Sequence, residues 1–485
     1  MRKLLLATVA VLGASMGVAT VADAQTAASP APGTITVRLN GRFRFYGFMA
    51  ADKDVDNNVA GSATGTTAQT GTNKLSSYGF GEYARLYPGF DGVAANGLKY
   101  GASLEIRQDQ SSGAGGGAYG GVSQSNRARA GLYFRREWGY IGTDQLGTIR
   151  LGNSDQPTSL YATGNFENFN DGGWNGDAPG LLAGNAQVTW PFSDVGNYYA
   201  TGKVVYLSPA LFGFDFGVSY EPSTAGLSIN SNCNGANPVG TNFVNSNGAF
   251  TAAAGANGQG VSGPGCDRLS ASPSNAESGR RRNTVDALLR YRGTFGGFGI
   301  AATAAYIGGS HVLDNSTTAT GFNSSRTNGL AVRDNFDGLS LGDFGVALSY
   351  AGFSVGGKYM FGRVNGQWSL APKGAPNGEA WVVGASYTIG PVIVGAQYID
   401  YKSAGDLGNA FQGRQRREQG FAAGGTYSVA PGMSVFLSYL YGQRKQNGFN
   451  FVTGAGGVTA ATPGGNAANN KITSNLLAVG TSFSW

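Results

Sequence analysis

From residue 35 to the C-terminus the chain alternates sixteen period-two segments with links that are, in strict turn, short and long. The segments lie near 35–48, 77–90, 97–109, 127–141, 146–153, 198–208, 213–221, 283–292, 297–307, 342–350, 353–363, 379–388, 391–401, 420–429, 433–443 and 472–485. Even-numbered segments are followed by tight turns such as DGVAANG, SPALFG, TIGP and VAPG. Odd-numbered ones are followed by long polar stretches, among them 49–76, 154–197, 222–282 and 444–471. Alternating polarity on either side of a tight turn reads as an antiparallel hairpin. A soluble sandwich or propeller has no reason to gather all its tight turns at one end of the sheet. A closed transmembrane β-barrel does, with short turns on the periplasmic side and long loops outside.

The alternation itself supports an all-β barrel with one face on lipid. In the first segment Val37, Leu39, Phe43 and Phe45 lie on one face and Arg38, Asn40, Arg42 and Arg44 on the other. The third repeats the pattern, with Tyr100, Ala102, Leu104 and Ile106 opposite Lys99, Ser103, Glu105 and Arg107. Tyr220, Tyr291, Tyr306, Tyr350, Tyr359, Tyr387, Tyr398, Tyr427 and Tyr439 all fall on the apolar face, mostly near a segment end. Such rings suit the headgroup level of a bilayer. Glycine, 81 of 485 residues, stands at more than twice its usual share of roughly 7 %, without a collagen period.

The N-terminus carries Arg2 and Lys3, an apolar run from Leu4 to Val11, and Ala22-Asp23-Ala24. This is the pattern of a secretory signal peptide over 1–24, cut after Ala24. Residues 25–34 then form a short N-terminal segment and 35–485 the barrel. Without Arg2, Lys3 and Asp23 the formal charge of +6 becomes +5, a mild excess that does not suggest a nucleic-acid binder. One residue breaks the alternation. In RARAGLYFRREW, Arg127, Arg129, Tyr133 and Arg135 share the polar face, which sends Arg136 outward. Three outcomes are open: Arg136 snorkels beside Trp138 and Tyr140, sits in a subunit interface, or marks a bulge.

Three stretches carry a resemblance to the Gram-negative general porins, the trimeric diffusion channels. LGTIRLGNSDQP (146–157) resembles the strand leading into their inward-folded third loop. VVYLSPALFGFDFGVSYEP (204–222) resembles their Y-x-S-P-x-x-x-G-F hairpin, and LLAVGTSFSW (476–485) their terminal strand. The chain departs in ending on Trp485, where phenylalanine is commoner, and in its unusually long fourth loop. The resemblance implies an outer-membrane homotrimer that passes small hydrophilic solutes and ions through a water-filled channel, without a cofactor. It also implies that Trp485 is read by the barrel-assembly machinery. Loop 154–197 is expected to fold inward and bring Asp155, Glu167, Asp171 and Asp177 toward the lumen. The facing basic wall is then Arg38, Arg42, Arg44, Arg85, Arg107, Arg129 and Arg135, with Arg150 beside it. Opposed charges across a narrow aqueous gap order water and penalise large apolar solutes.

Cys233 and Cys266 both lie in the fourth loop, and in an exported protein they are expected to form a disulfide, free thiols being the alternative. The single histidine, His311, supplies neither a metal site nor a hydrolase triad by itself. No enzyme and no metal site are therefore expected. A channel selective for sugar or phosphate is the alternative function. A sugar path would need a run of lumen aromatics, and the candidates Tyr83, Tyr87, Tyr133, Tyr199 and Phe436 are dispersed. A phosphate channel would need loop lysines near the pore, and residues 154–197 contain none. An adhesin or structural barrel is the remaining alternative.

Overall fold

The computed structural model describes residues 31–52, 77–109, 133–182, 186–192, 202–223, 281–311, 337–366, 368, 370–371, 375–405, 416–447, 449–451, 455–456 and 470–485. Its barrel strands in chain order are β1 (Ile35–Asp52), β2 (Tyr78–Val93), β3 (Lys99–Asp109), β4 (Tyr133–Thr143), β5 (Gly147–Asn153) and β6 (Gly202–Leu207). They continue as β7 (Phe214–Ser223), β8 (Arg281–Phe295), β9 (Phe298–His311), β10 (Leu339–Tyr350), β11 (Phe353–Arg363) and β12 (Gly378–Ile389). The last are β13 (Val392–Ser403), β14 (Arg416–Ala430), β15 (Met433–Lys445) and β18 (Lys471–Ser484). A small ribbon of β16 (Phe449–Asn450) and β17 (Ala455–Gly456) lies in the final link.

Each barrel strand pairs antiparallel with its neighbours in sequence, and β1 pairs with β18 from Arg42↔Ser484 to Asp52↔Ser474. The sheet thus closes and leaves no edge. Closure matters in lipid, where unpaired backbone groups find no water. The tight turns are the expected ones. Between β10 and β11 the turn is only Ala351-Gly352, with φ of 48° and 86°, the two positive values of a type I′ hairpin.

The surface is apolar on the outside. Val37 is 78 % exposed and Phe80 76 %, and Phe134, Val355, Phe353 and Val479 are likewise bare. Aromatic pairs cross neighbouring strands in this belt, as in Phe298–Tyr350 at 4.2 Å and Phe353–Tyr387 at 4.1 Å between ring centroids. The nine tyrosines assigned to the outer face are all exposed or partly exposed there. The expected terminus is also well seated. Trp485 exchanges both backbone hydrogen bonds with Gly41, and its indole fills the space that a side chain at Gly41 would need.

Arg136 is a correction to the simple alternation. β3 and β4 shift register between Glu105↔Arg136 and Ile106↔Phe134, which leaves Arg135 as the extra residue of a β-bulge. The bulge turns Arg135 and Arg136 inward together, and both bury against Glu105. It also carries Trp138 and Tyr140 to the inner face, where the Arg150 guanidinium lies 4.2 Å from the Trp138 ring and the Tyr140 hydroxyl donates to Asp91. Of the three open outcomes, the bulge is the one found.

Candidate functional site

The link after β5, described over 154–182 and 186–192, enters the barrel and touches β8, β10, β12, β13, β14, β15 and β18 in turn. Ser154 to Leu182 are almost all buried or half-buried. The loop starts at the β5 end, where Asp155 meets Arg136 at 3.0 Å. A single helical turn, Pro157–Leu160, then places Thr158 on β8, its backbone N–H and hydroxyl donating to Asp286 at 3.0 and 2.7 Å. Tyr161 stacks under Arg290, 3.8 Å from the guanidinium. Farther along, Gln397 of β13 accepts from the Trp174 N–H at 2.9 Å and donates to the Asn165 carbonyl at 2.8 Å. Ser474 of β18 donates to the Ala186 carbonyl at 3.0 Å, and the Thr189 N–H donates to Glu418 of β14 at 2.7 Å.

The wall is shaped for this path by missing side chains. A Cβ at Gly384 on β12 would stand 2.6 Å from Phe166, one at Gly395 on β13 2.8 Å from Phe169, and one at Gly442 on β15 2.8 Å from Trp174. Gly345 on β10 faces the Thr163 carbonyl in the same way. These inward glycines make a track one side chain deep on which the loop lies, and part of the glycine excess serves it.

Past the track the loop reaches the basic wall. Asp177 sits against three arginines at once: 3.0 Å from Arg44, 3.6 Å from Arg42, and in direct contact with Arg85. The Tyr83 hydroxyl donates to the same carboxylate. Guanidiniums also lie over the Tyr83 ring, with Arg85 at 4.5 Å and Arg42 at 5.5 Å from its centre. Asp171 accepts from the Tyr46 hydroxyl at 3.4 Å and from the Ala178 N–H at 2.7 Å, and its carbonyl accepts from Arg44 at 3.3 Å. The expected aqueous gap between loop acids and arginines is thus replaced by contact. A carboxylate within reach of three guanidiniums is held by all of them, so the loop docks on the wall.

The remaining expected residues divide as follows. Arg107 and Arg135 pair with Glu105 on their own wall, as Arg136 does. Arg38 pairs with Asp91 of β2 at 2.6 Å. Glu167 accepts from Asn175 of the loop at 3.2 Å. Arg127, Arg129, Tyr199, Cys233 and Cys266 lie outside the described residues. Glu105 and Asp91 are functional candidates that sequence reasoning passed over. Glu105 already stood between Ser103 and Arg107 on the polar face, which was signal enough.

A second feature was not anticipated. On the arc from β9 to β13 the inner face carries an apolar patch beside a buried ion pair, Lys358 to Asp343 at 3.0 Å. Ile307, Leu341, Met360, Val382 and Ile399 point inward and are fully buried under Trp190, Phe192, Trp368 and Leu370. Trp368, from the link after β11, donates its indole N–H to the Pro191 carbonyl at 2.7 Å. Among the described residues, an apolar cluster on one side of the interior thus faces the charged wall of β1–β5 on the other. A signal existed: each of those five is an apolar residue at an inward position of its strand, which a lumen filled only with water does not call for.

A family model described as Gram-negative porin matches residues 7–459. The chain belongs to the Gram-negative porin family. Solved structures of similar fold include Salmonella typhi OmpF in complex with daunomycin, 14 % identical, covering 93 % of this chain and 97 % of that one at a TM-score of 0.49. An anion-selective porin from Comamonas acidovorans is 14 % identical over 93 % of this chain and 100 % of that one, at 0.45. A loop-deletion mutant of OmpT from Vibrio cholerae is 13 % identical over 93 % and 99 %, at 0.46. No curated protein matches the chain. With its closed sixteen-stranded barrel, this porin is an outer-membrane channel for diffusion of small hydrophilic solutes.

Proposed function

We propose that the charged arc of β1–β5 and the loop docked on it form the selectivity zone of the porin, and that the zone prefers anions weakly. One observation carries this reading. Among the described residues, Arg38, Arg42, Arg44, Arg85, Arg107, Arg135, Arg136 and Arg150 line the arc, and the carboxylates of the arc and its docked loop are Asp91, Glu105, Asp155, Glu167, Asp171 and Asp177. Eight guanidiniums against six carboxylates leave a surplus of two positive charges among the described residues. Between low-dielectric walls such a surplus raises the local concentration of anions. Protein reconstituted in a planar bilayer should open channels without ligand or energy. In a potassium chloride gradient its reversal potential should take the sign of anion preference. A cation-selective reversal potential would overturn the assignment.

The same reading includes a homotrimer built on the outer faces of β1–β5. Its support is two carboxylates that interrupt apolar columns. Glu82 is exposed on the outer face of β2 directly below Phe80, and Glu137 on that of β4 between Phe134 and Ile141. A charge facing hydrocarbon is costly and depth-dependent. Glu137 already accepts from Asn153 at 3.0 Å; a neighbouring subunit that hydrogen-bonds Glu82 and the rest of Glu137 lowers that cost. The outward Val37, Leu39, Phe43 and Phe45 then pack on protein. Mass measurement in mild detergent should give three chains per particle, and a monomer at every protein concentration would reject the trimer. Trp485, seated at Gly41, is the residue offered to the assembly machinery during insertion.

A further inference from the structure

Near the tight-turn end of the barrel the inner wall carries a second basic group, outside the arc of β1–β5. Asp215, on β7, accepts from Arg290 of β8 at 2.8 Å through Nε and at 2.6 Å through Nη2. It also accepts from Arg292 at 3.2 Å. Among the described residues, two guanidiniums thus share one carboxylate, and one positive charge is left over. Arg292 carries that charge into the lumen: its side chain is 47 % exposed, against 4 % for Asp215. Arg290 spends one edge of its fork on Asp215 and lays its face on the Tyr161 ring, 3.8 Å away. Stacking orients a guanidinium without cancelling its charge.

The wall beside Arg292 is low. In register, Arg292 lies opposite Ala301 of β9, Ala301 opposite Ala347 of β10, and Ala347 opposite Gly356 of β11. Three neighbouring strands therefore carry nothing longer than a methyl group on the inner face at this height. The next partner in the row, Gly384 of β12, lies under Phe166 of the loop. From β8 to β12, at about 4.8 Å per strand, this makes a shelf with a cation at one end and an aromatic ring at the other. One step farther from the turns, Gly345 of β10 is already covered by the Thr163 carbonyl, so the loop roofs the shelf on that side. Tyr161, Ala347 and Gly356 stay half-buried. Phe166 holds a φ of 52°, a conformation costly for a bulky side chain and kept chiefly at functional sites. A flat floor, aromatic rings beside it and a surplus cation together suit a flat anion.

We propose that this shelf binds small aromatic carboxylates, with the carboxylate on Arg292 and the ring on Ala347 and Gly356, between Tyr161 and Phe166. Arg290, held by Asp215 and stacked on Tyr161, fixes the ring of Tyr161 that the solute meets. The site goes beyond the selectivity zone of β1–β5 and shares no residue with it. That zone is judged by reversal potential and this site by dwell time, so the two can fail separately.

The test records single channels of the full-length protein in potassium chloride at neutral pH, with benzoate or cyclohexanecarboxylate added on the periplasmic side. Both are monoanions of similar size, and only benzoate is flat with a π face. Benzoate should interrupt the current, and its interruptions should last about fivefold longer than those of cyclohexanecarboxylate, the scale of one aromatic pair. R292Q should shorten the benzoate interruptions about tenfold, the scale of one hydrogen bond to a charged group. Y161L should bring benzoate down to the level of cyclohexanecarboxylate, while Y161F, which keeps the ring, should behave as wild type. Heat-dependent gel mobility establishes that each variant is folded, and the comparison of the two anions on wild type needs no variant. Equal interruptions by the two anions, or none by either, would overturn the site. So would wild-type dwell times for benzoate in folded R292Q or Y161L.

Discussion

Replacing Asp177 by asparagine removes one negative charge from the centre of the arginine wall and changes almost no volume. In the wild type that carboxylate lies 3.0 Å from Arg44 and 3.6 Å from Arg42. In the variant the surplus of positive charge on the arc grows by one. A chloride ion passing about 6 Å away in water gains about 0.7 kcal/mol from one unit charge, and a potassium ion loses as much. The two effects act in opposite directions on the two ions, so the anion-to-cation permeability ratio should rise about tenfold before screening. Salt provides an internal control. At 1 M the Debye length is about 3 Å and the interaction energy should nearly vanish, whereas at 0.1 M, with a length of about 10 Å, about half of it should remain, a change of about threefold to fourfold in the ratio. The assay is the reversal potential of single D177N channels in potassium chloride gradients at both mean concentrations. An unchanged reversal potential at low salt, in a folded barrel, would mean that ions do not pass near Asp177. The selectivity zone would then have to be sought elsewhere in the lumen.

Replacing Arg42, Arg44 and Arg85 together by serine should move selectivity toward cations and free the loop tip, seen as lower anion permeability with noisier current. Gly384→Leu should push Phe166 off its track at about 1–3 kcal/mol of overpacking, lowering the temperature at which gel mobility changes. Glu105→Gln leaves Arg107, Arg135 and Arg136 without their shared carboxylate, which is 2 % exposed. Breaking such a buried set costs about 3–5 kcal/mol, measurable as a lower midpoint in chemical denaturation of the vesicle-bound barrel. Gly41→Val removes the notch for the Trp485 indole and should reduce the yield of heat-modifiable protein in assembly assays, while Gly41→Ala should reduce it less.

The barrel was legible because its determinants are local and repeated. Period two sets each strand, a tight turn such as Ala351-Gly352 sets each hairpin, and the alternating links set the direction. The arginines of β1 and β3 could be put on the inner face for the same reason. Contacts made across the lumen were not legible. Nothing near Asp177 in sequence says that it will reach Arg42, Arg44 and Arg85, and nothing near Phe166 says that it will lie on Gly384. Arg136 failed differently, since one inserted residue reverses the parity of every position beyond it. The apolar patch on β9–β13 was readable in principle, because Met360 and Val382 are apolar where the alternation asks for polar residues.

The docked loop also bears on the order in which the chain is put together. Its partners lie far downstream: Thr158 binds Asp286, 128 residues later, and Ala186 binds Ser474, 288 residues later. Most of the track is thus absent until the last third of the chain has paired, and contacts of such separation form slowly. β1 likewise waits for β18 to close the sheet. Before that, the arginines of β1 and β2 and the acids of the loop have each other but no fixed wall to hold them. Calibration of the channel therefore coincides with the final act of closure. A barrel halted one strand short would be an unregulated breach in the membrane, and a cell gains by clearing such products quickly. Pulse-labelled protein lacking β18 should accordingly be degraded before it conducts.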